Sequence, residues 1–313
     1  MNGSAGLPEA VRVVEVGPRD GLQNEARVVP LATKVAFIRE LADAGLPVVE
    51  VGAFVRADRV PQMADSEEVV RQLPSGSPTR FTALVPNLRG LERALSAGIG
   101  EIAVFTAASE EFALANLGMT IEGSLATYRQ VVETATDAGL MVRGYVSTCW
   151  WCPFSGAVDP EAVTSVAEHL LALGCYQVSV ADTIGAATPR EVGLLLERLL
   201  QTMRPDQLGV HFHDTRGTAL ANVLASLERG IATIDASAGG LGGCPFAPGA
   251  AGNLSTEDLV YMLEGMGIST GVDLARLSAA ARRMGVALGR TLPSRYLAAG
   301  PFLPRSALPV EDG

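Results

Sequence analysis

Five times along the chain a segment of helical period ends in glycine and a short β-branched run follows at once. The junctions are Ala44-Gly45, Ala97-Gly98, Ala138-Gly139, Leu173-Gly174 and Arg229-Gly230. Glycine just past a helix takes the left-handed conformation that side chains resist, so it stops the helix and turns the chain into the next strand. On this beat the strands are predicted near Val11–Val16, Val48–Val51, Arg80–Leu84, Glu101–Thr106, Met141–Ser147, Gln177–Ala181, Leu208–Phe212 and Thr233–Ser237. Helices are predicted near Leu31–Ala44, Ser66–Leu73, Leu88–Ala97, Ile121–Ala138, Pro160–Leu173, Pro189–Met203 and Gly217–Arg229. Asn87, Thr120, Asp159 and Thr188 stand where caps would open four of them. A parallel series of eight strands exposes two edges unless it closes on itself, so the reading is α/β, a (β/α)8 TIM barrel with additional C-terminal helices. An open doubly wound sheet is the alternative.

The same beat sets the domain organisation. Residues 1–10 form an N-terminal extension, residues 11–298 one barrel domain with cap helices near Thr256–Gly265 and Val272–Leu288, and residues 299–313 an irregular tail carrying Pro301, Pro304 and Pro309. With 48% apolar and 19% charged residues in 313, the chain has material for a large core, which excludes a disordered chain or a disulfide-stapled miniprotein. The 24 basic and 34 acidic residues leave a net charge of −10, which argues against nucleic acid and anionic membranes as partners. An acidic small molecule stays open, because a metal ion and an arginine can set the sign within a cleft. There is no basic-then-apolar leader and no apolar run of about 20 residues. Cys149, Cys152, Cys175 and Cys244 do not form a disulfide framework, so the expected location is cytoplasmic.

In a parallel barrel the site forms where the strands end. Gly17-Pro18-Arg19-Asp20-Gly21 follows the first strand, Glu50 lies in the second, Ser147 ends the fifth, Asp182-Thr183 ends the sixth, and His211-Phe212-His213 ends the seventh. Residues two apart on a strand share a face, so both imidazoles point one way, as metal ligands do; a pair of structural histidines is the plainer alternative. His169, alone in a helix, reads as a surface residue. Asp20 can add a carboxylate and Asn253 an amide oxygen. Two imidazoles, a carboxylate and an amide suit Mg²⁺ or Mn²⁺ with positions open to a chelating substrate. Cys149-Trp-Trp-Cys152 has no second cysteine pair and reads as buried or incidental. Gly239, Gly240, Gly242 and Gly243 precede Cys244 and would let the backbone close over a ligand, although a plain connector has the same composition.

Five segments taken together carry a resemblance. They are Val16-Gly-Pro-Arg-Asp-Gly-Leu-Gln-Asn-Glu25, Val60-Pro-Gln-Met-Ala-Asp65, Asp182-Thr-Ile-Gly185, His211-Phe-His-Asp-Thr-Arg-Gly217 and Gly240-Leu-Gly-Gly-Cys-Pro-Phe-Ala-Pro-Gly-Ala-Ala-Gly-Asn253. In this order they resemble the 3-hydroxy-3-methylglutaryl-coenzyme A (HMG-CoA) lyases of the pyruvate carboxyltransferase-like TIM-barrel metallolyases. The resemblance implies metal binding by Asp20, His211, His213 and Asn253, a substrate-carbonyl contact by Arg19, and a catalytic Cys244. It places Gln23, Glu50, Asp182 and Thr183 at substrate-site positions and gives the base role to Asp20 or His211. The implied partner is an acyl-CoA, the implied reaction is cleavage of HMG-CoA to acetyl-CoA and acetoacetate, as in leucine breakdown and ketone-body formation, and a homo-oligomer, dimer or larger, is expected. The chain departs from the family's pattern at Ala26, at Ala53-Phe-Val-Arg-Ala-Asp-Arg59 and around Cys149–Cys152. The alternatives are therefore a lyase for a related branched 3-hydroxyacyl-CoA, a Claisen-type synthase of the same group, whose C-terminal domain needs more residues than follow Leu288, and a barrel that only binds acyl-CoA or metal.

Overall fold

All eight predicted strands form, and they close. The computed structural model describes residues 6–243 and 252–302. Its strands are β1 (Arg12–Glu15), β2 (Val48–Ala53), β3 (Arg80–Leu84), β4 (Glu101–Ala107), β5 (Met141–Ser147), a short hairpin β6 (Trp151–Cys152) and β7 (Gly156–Ala157), then β8 (Gln177–Asp182), β9 (Leu208–Phe212) and β10 (Thr233–Ala236). The barrel runs β1-β10-β9-β8-β5-β4-β3-β2 and closes, with the hairpin outside it. The first and last strands pair in parallel, Arg12 opposite Thr233, so the open-sheet alternative is excluded.

The helices are α1 (Leu31–Asp43), α2 (Ser66–Arg71), α3 (Leu88–Ala97), α4 (Glu110–Leu117), α5 (Ile121–Asp137), α6 (Pro160–Ala172), α7 (Pro189–Leu199), α8 (Ala219–Leu227), α9 (Thr256–Gly265), α10 (Leu274–Leu288) and α11 (Arg295–Ala299). Gly45, Gly98, Gly139, Gly174 and Gly230 all have φ between 79° and 112°, as helix stops require. Asn87, Thr120 and Asp159 accept the amides of Gly90, Gly123 and Glu161. At Thr188 the turn is closed from the other side, by Glu191 accepting the Thr188 amide at 2.8 Å.

Several elements differ from the sequence reading: the β6–β7 hairpin was not expected, and helix α7 stops at Leu199, short of the predicted Met203. Helix α8 begins two residues late because Gly217 has φ +73°. Helix α4 was not expected: it buries only Phe112 and Ala113, so it has no apolar stripe to betray it. Helix α11 was not expected and runs to Ala299, the first residue of the predicted tail; residues 303–313 lie outside the described residues.

Outward-facing Val142, Val146, Val178, Val180, Val210, Phe212 and Ile234 join Leu170, Leu195, Leu196 and Val223 of the helices in one apolar layer. The interior of the same strands is polar. Arg143 and Tyr145 of β5, Gln177 and Ser179 of β8, His211 of β9, and Thr233 and Asp235 of β10 touch one another there. Gly209 makes room for this filling, since a Cβ on it would stand 2.6 Å from a guanidinium nitrogen of Arg143.

Candidate metal centre and active site

The mouth is built first by the chain leaving β1. Residues Gly17–Gly21 wind a single π-helical turn in which the Gly21 amide donates to the Val16 carbonyl at 3.1 Å. Such turns re-aim side chains and collect at functional sites. Here the turn presents Arg19 and Asp20. The Arg19 Nε donates to Glu50 Oε2 at 2.6 Å, one terminal nitrogen donates to Asp20 Oδ1 at 2.6 Å, and the guanidinium carbon lies 5.9 Å from the Tyr145 ring centroid. Burial alone would lower the Arg19 pKa, but Glu50 and Asp20 more than offset it and the group is held charged. Burial likewise pushes the Asp20 carboxyl up, yet Arg19, His211 and His213 hold it down at about 2.

Strand β9 brings the imidazoles to the same place. One donor atom each of Asp20, His211 and His213 lies within 4.8 Å of the others, the one such cluster among the described residues. His213 Nε2 is 3.9 Å from Asp20 Oδ2. Burial and the neighbouring His211 lower His213 to about 4, so it is neutral near pH 7, the state in which imidazole coordinates a metal.

Asn253 joins the cluster through backbone pairing that the sequence does not display. The Leu254 amide donates to the Phe212 carbonyl at 2.9 Å, the Ser237 amide donates to the Leu254 carbonyl at 2.9 Å, and the Asp214 amide donates to the Gly252 carbonyl at 3.1 Å. Residues 252–255 thus wedge between the ends of β9 and β10. Asn253 Nδ2 donates to Asp20 Oδ2 at 2.9 Å and to the Leu241 carbonyl at 3.0 Å. Its Oδ1 is buried with no hydrogen-bond partner among the described residues. Gly242 permits this approach: its φ is +123° and a Cβ there would stand 2.6 Å from Asn253 Nδ2. An ionised carboxylate, two buried imidazoles and an unpaired amide oxygen fit a hard divalent cation.

The cluster opens into a cavity of about 740 Å³, whose lining includes Arg19, Asp20, Gln23, Tyr145, Thr183, His211 and His213. Two residues expected at substrate-site positions are placed otherwise. Glu50 is fully buried and turned to Arg19. Asp182 accepts the Ala186 and Ala187 amides at 3.0 and 2.9 Å, shaping the turn after β8. Neither is in the cavity wall, because a strand-end position fixes a residue's neighbourhood but not its partner. Cys244 lies outside the described residues. Gly243 before it lines the cavity, its carbonyl accepting from Asn24 Nδ2 at 2.9 Å. Arg56 and Arg59, from the segment that departs from the family pattern, line its outer part. Cys149 and Cys152 are both free and buried, and His169 is exposed, as read from the sequence.

The sequence reading missed Arg143, Tyr145 and Asp235. The available signal was period-two polarity: Arg143 with Tyr145, Gln177 with Ser179, His211 with His213, Thr233 with Asp235.

Comparison with known proteins gives a consistent picture. The HMGL-like family model matches residues 10–284. Hydroxymethylglutaryl-CoA lyase of Pseudomonas mevalonii is 51% identical over 287 residues, covering 92% of this chain and 95% of that protein. The crystal structure of hydroxymethylglutaryl-CoA lyase from Pseudomonas aeruginosa superposes with a TM-score of 0.92 at 46% identity, covering 94% of this chain and 98% of that one. An HMG-CoA lyase from Acinetobacter baumannii, solved in complex with coenzyme A and 3-methylmalate, gives 0.90 at 40% identity over 95% of this chain and 98% of that one.

Proposed function

The chain belongs to the HMGL-like family of HMG-CoA lyases, and on that premise we propose that it cleaves HMG-CoA to acetyl-CoA and acetoacetate at the Arg19, Asp20, His211 and His213 centre. The observation that carries the reading is the convergence of a caged arginine and a metal-binding cluster on one wall of the cavity. Breaking the carbon–carbon bond removes the proton of the tertiary hydroxyl, turns its carbon into the ketone of acetoacetate, and leaves the electron pair as the enolate of the acetyl thioester. A divalent ion, for which we propose Mg²⁺ or Mn²⁺, supplies Lewis acidity when bound by Asp20, His211, His213 and Asn253. Of Asp20 and His211, Asp20 is the group assigned to take the hydroxyl proton, because His211 turns Nδ1 to Asp235 at 3.3 Å and has only Nε2 left, for the cation. Arg19, already fixed by Glu50 and Asp20, presents a cation to the developing enolate oxygen without reorganising, which is where such stabilisation is strongest. The enolate carbon then takes a proton, the role proposed for Cys244.

Arg59 at the outer cavity supplies positive charge for the phosphates of coenzyme A on a chain of net charge −10, beside Arg56, whose own charge is paired with Asp58 at 2.6 Å. No helix among the described residues is long and apolar enough to cross a membrane. We extend the proposal to a cytoplasmic homo-oligomer; Cys149, Cys152 and Cys175, buried and unpaired, suit a reducing compartment, and light scattering after size exclusion tests the assembly. A panel of branched 3-hydroxyacyl-CoA thioesters with mass detection tests the substrate: HMG-CoA is the expected best substrate, and preference for another acyl group moves the assignment to a related lyase.

A further inference from the structure

Behind the metal centre, the barrel interior holds a charged network that no step above uses. Asp235 Oδ1 is 2.8 Å from a terminal nitrogen of Arg143, and both side chains are almost wholly buried. Arg143 is held in turn by Gln177 Oε1 at 3.0 Å and by the Tyr145 hydroxyl at 2.9 Å. The second carboxylate oxygen, Oδ2, accepts the Ser179 hydroxyl at 2.9 Å and lies 3.3 Å from His211 Nδ1. A buried ion pair stabilises a fold poorly compared with apolar residues of the same volume, so stability does not account for this one.

Its direction does. An ionised carboxylate only accepts, so the imidazole nitrogen facing Asp235 carries the proton and the lone pair stands on Nε2. An imidazole whose Nε2 donates to a cation is a better N–H donor at Nδ1, so the two contacts reinforce each other. Neither Nδ1 is in a well-formed hydrogen bond among the described residues, but only that of His211 has a carboxylate behind it, at 3.3 Å. The two histidines of one motif are therefore unequal, and His211 is the one whose orientation is set from behind.

We propose that Asp235 is the positioning residue of the metal centre. Its carboxylate, anchored by Ser179 and charge-balanced by Arg143, fixes the Nδ1–H tautomer and ring plane of His211, so that Nε2 faces a divalent cation. The proposal rests on the metal-centre reading of Asp20, His211 and His213, and is independent of which thioester is cleaved.

The test is Asp235→Asn, which keeps the volume but offers an amide that can donate to Nδ1. Long-range ¹H–¹⁵N spectra of the metal-free protein report the tautomer, and calorimetric titration with Mn²⁺ reports affinity. The parent is expected to show Nδ1–H at His211. The variant is expected to lose that tautomer and bind Mn²⁺ about 10- to 100-fold more weakly, the usual effect of removing a partner behind a metal-bound histidine, with His213 signals unchanged. Should the single variant fail to fold for want of a counter-charge to Arg143, D235N/R143Q, which leaves neither charge buried alone, is read the same way. Retention of the Nδ1–H tautomer, or Mn²⁺ affinity within about twofold of the parent, overturns the proposal. Neither readout uses substrate, so a parent that binds Mn²⁺ but cleaves no thioester rejects the lyase reading and leaves this one standing.

Discussion

Glu15 and Glu257 are fully buried carboxyl groups that fasten the two halves of the active-site mouth. Glu15 accepts the amides of Gly17 and Ala238 at 2.8 and 2.9 Å and the Thr256 hydroxyl at 2.6 Å. Glu257 accepts the Gly239 amide at 2.7 Å and the Ser255 hydroxyl at 2.8 Å. Together they tie the turn carrying Arg19 and Asp20 to the start of the glycine-rich segment. Burial raises Glu15 from 4.5 to about 7 and Glu257 from 4.5 to about 8, against the hydrogen bonds that lower them. Because both folded values lie above the unfolded one, their stabilising contribution is complete below pH 4.5 and is lost as pH rises through about 7 and about 8. Taken singly the losses are at most about 3 and about 5 kcal/mol, and since each carboxylate opposes ionisation of the other, the pair loses less than both together by pH 9. Glu257→Gln removes one ionisation at nearly constant shape. Urea unfolding of the metal-free proteins between pH 5.5 and 9 should show the parent losing about 3 kcal/mol or more and the variant at most about half of that, with the two within about 1 kcal/mol at the acid end. Equal losses in parent and variant would refute the assignment of alkaline instability to Glu257.

Three further outcomes divide the roles at the site. His213→Ala should weaken Mn²⁺ binding, whereas Arg19→Ala should lower kcat about 10²-fold or more with Mn²⁺ affinity nearly intact; equal loss of metal in both would merge the two roles. Gly242→Ala, placing a methyl 2.6 Å from Asn253 Nδ2 at φ +123°, should cost about 1–3 kcal/mol of local strain and weaken metal binding; unchanged calorimetric titration would remove Asn253 from the ligand set. Alkylation should inactivate the enzyme through Cys244: burial pushes the Cys149 thiol up and Cys175 to about 12, and Cys152, although burial is outweighed by its hydrogen bonds, that with Ser109 foremost, and it is lowered, is only 3% exposed; peptide mapping that finds Cys244 unmodified in inactive protein contradicts its catalytic role.

Much of this architecture was legible because local chemistry dictates it. A glycine at positive φ marks five of the helix ends, and the regular alternation these stops set points to a parallel series of strands. His211 and His213 announce themselves because period two puts both on one face. Asp235 and Arg143 do not, since their pairing spans the closed barrel from β5 to β10 and no local spacing joins them. Asn253 was open as an amide ligand from its residue type, but its place depends on residues 252–255 pairing with the ends of two strands, which no local pattern displays. Glu50 and Asp182 were placed at the right end of the barrel, but their partners, Arg19 and the turn after β8, could not be read from the chain. Periodicity gives a side chain's face, whereas the 2.6 Å contact of Glu50 with Arg19 depends on a π-helical turn that no sequence period encodes.

The most direct measurement is cleavage of HMG-CoA by the purified, Mn²⁺-loaded protein in D₂O, with products followed by mass spectrometry. Carbon–carbon cleavage through a thioester enolate predicts acetyl-CoA and acetoacetate in equal amounts, with one solvent deuterium in the acetyl methyl group, and no products after chelation. Release of free coenzyme A with the six-carbon acid intact would instead show thioester hydrolysis and contradict the account.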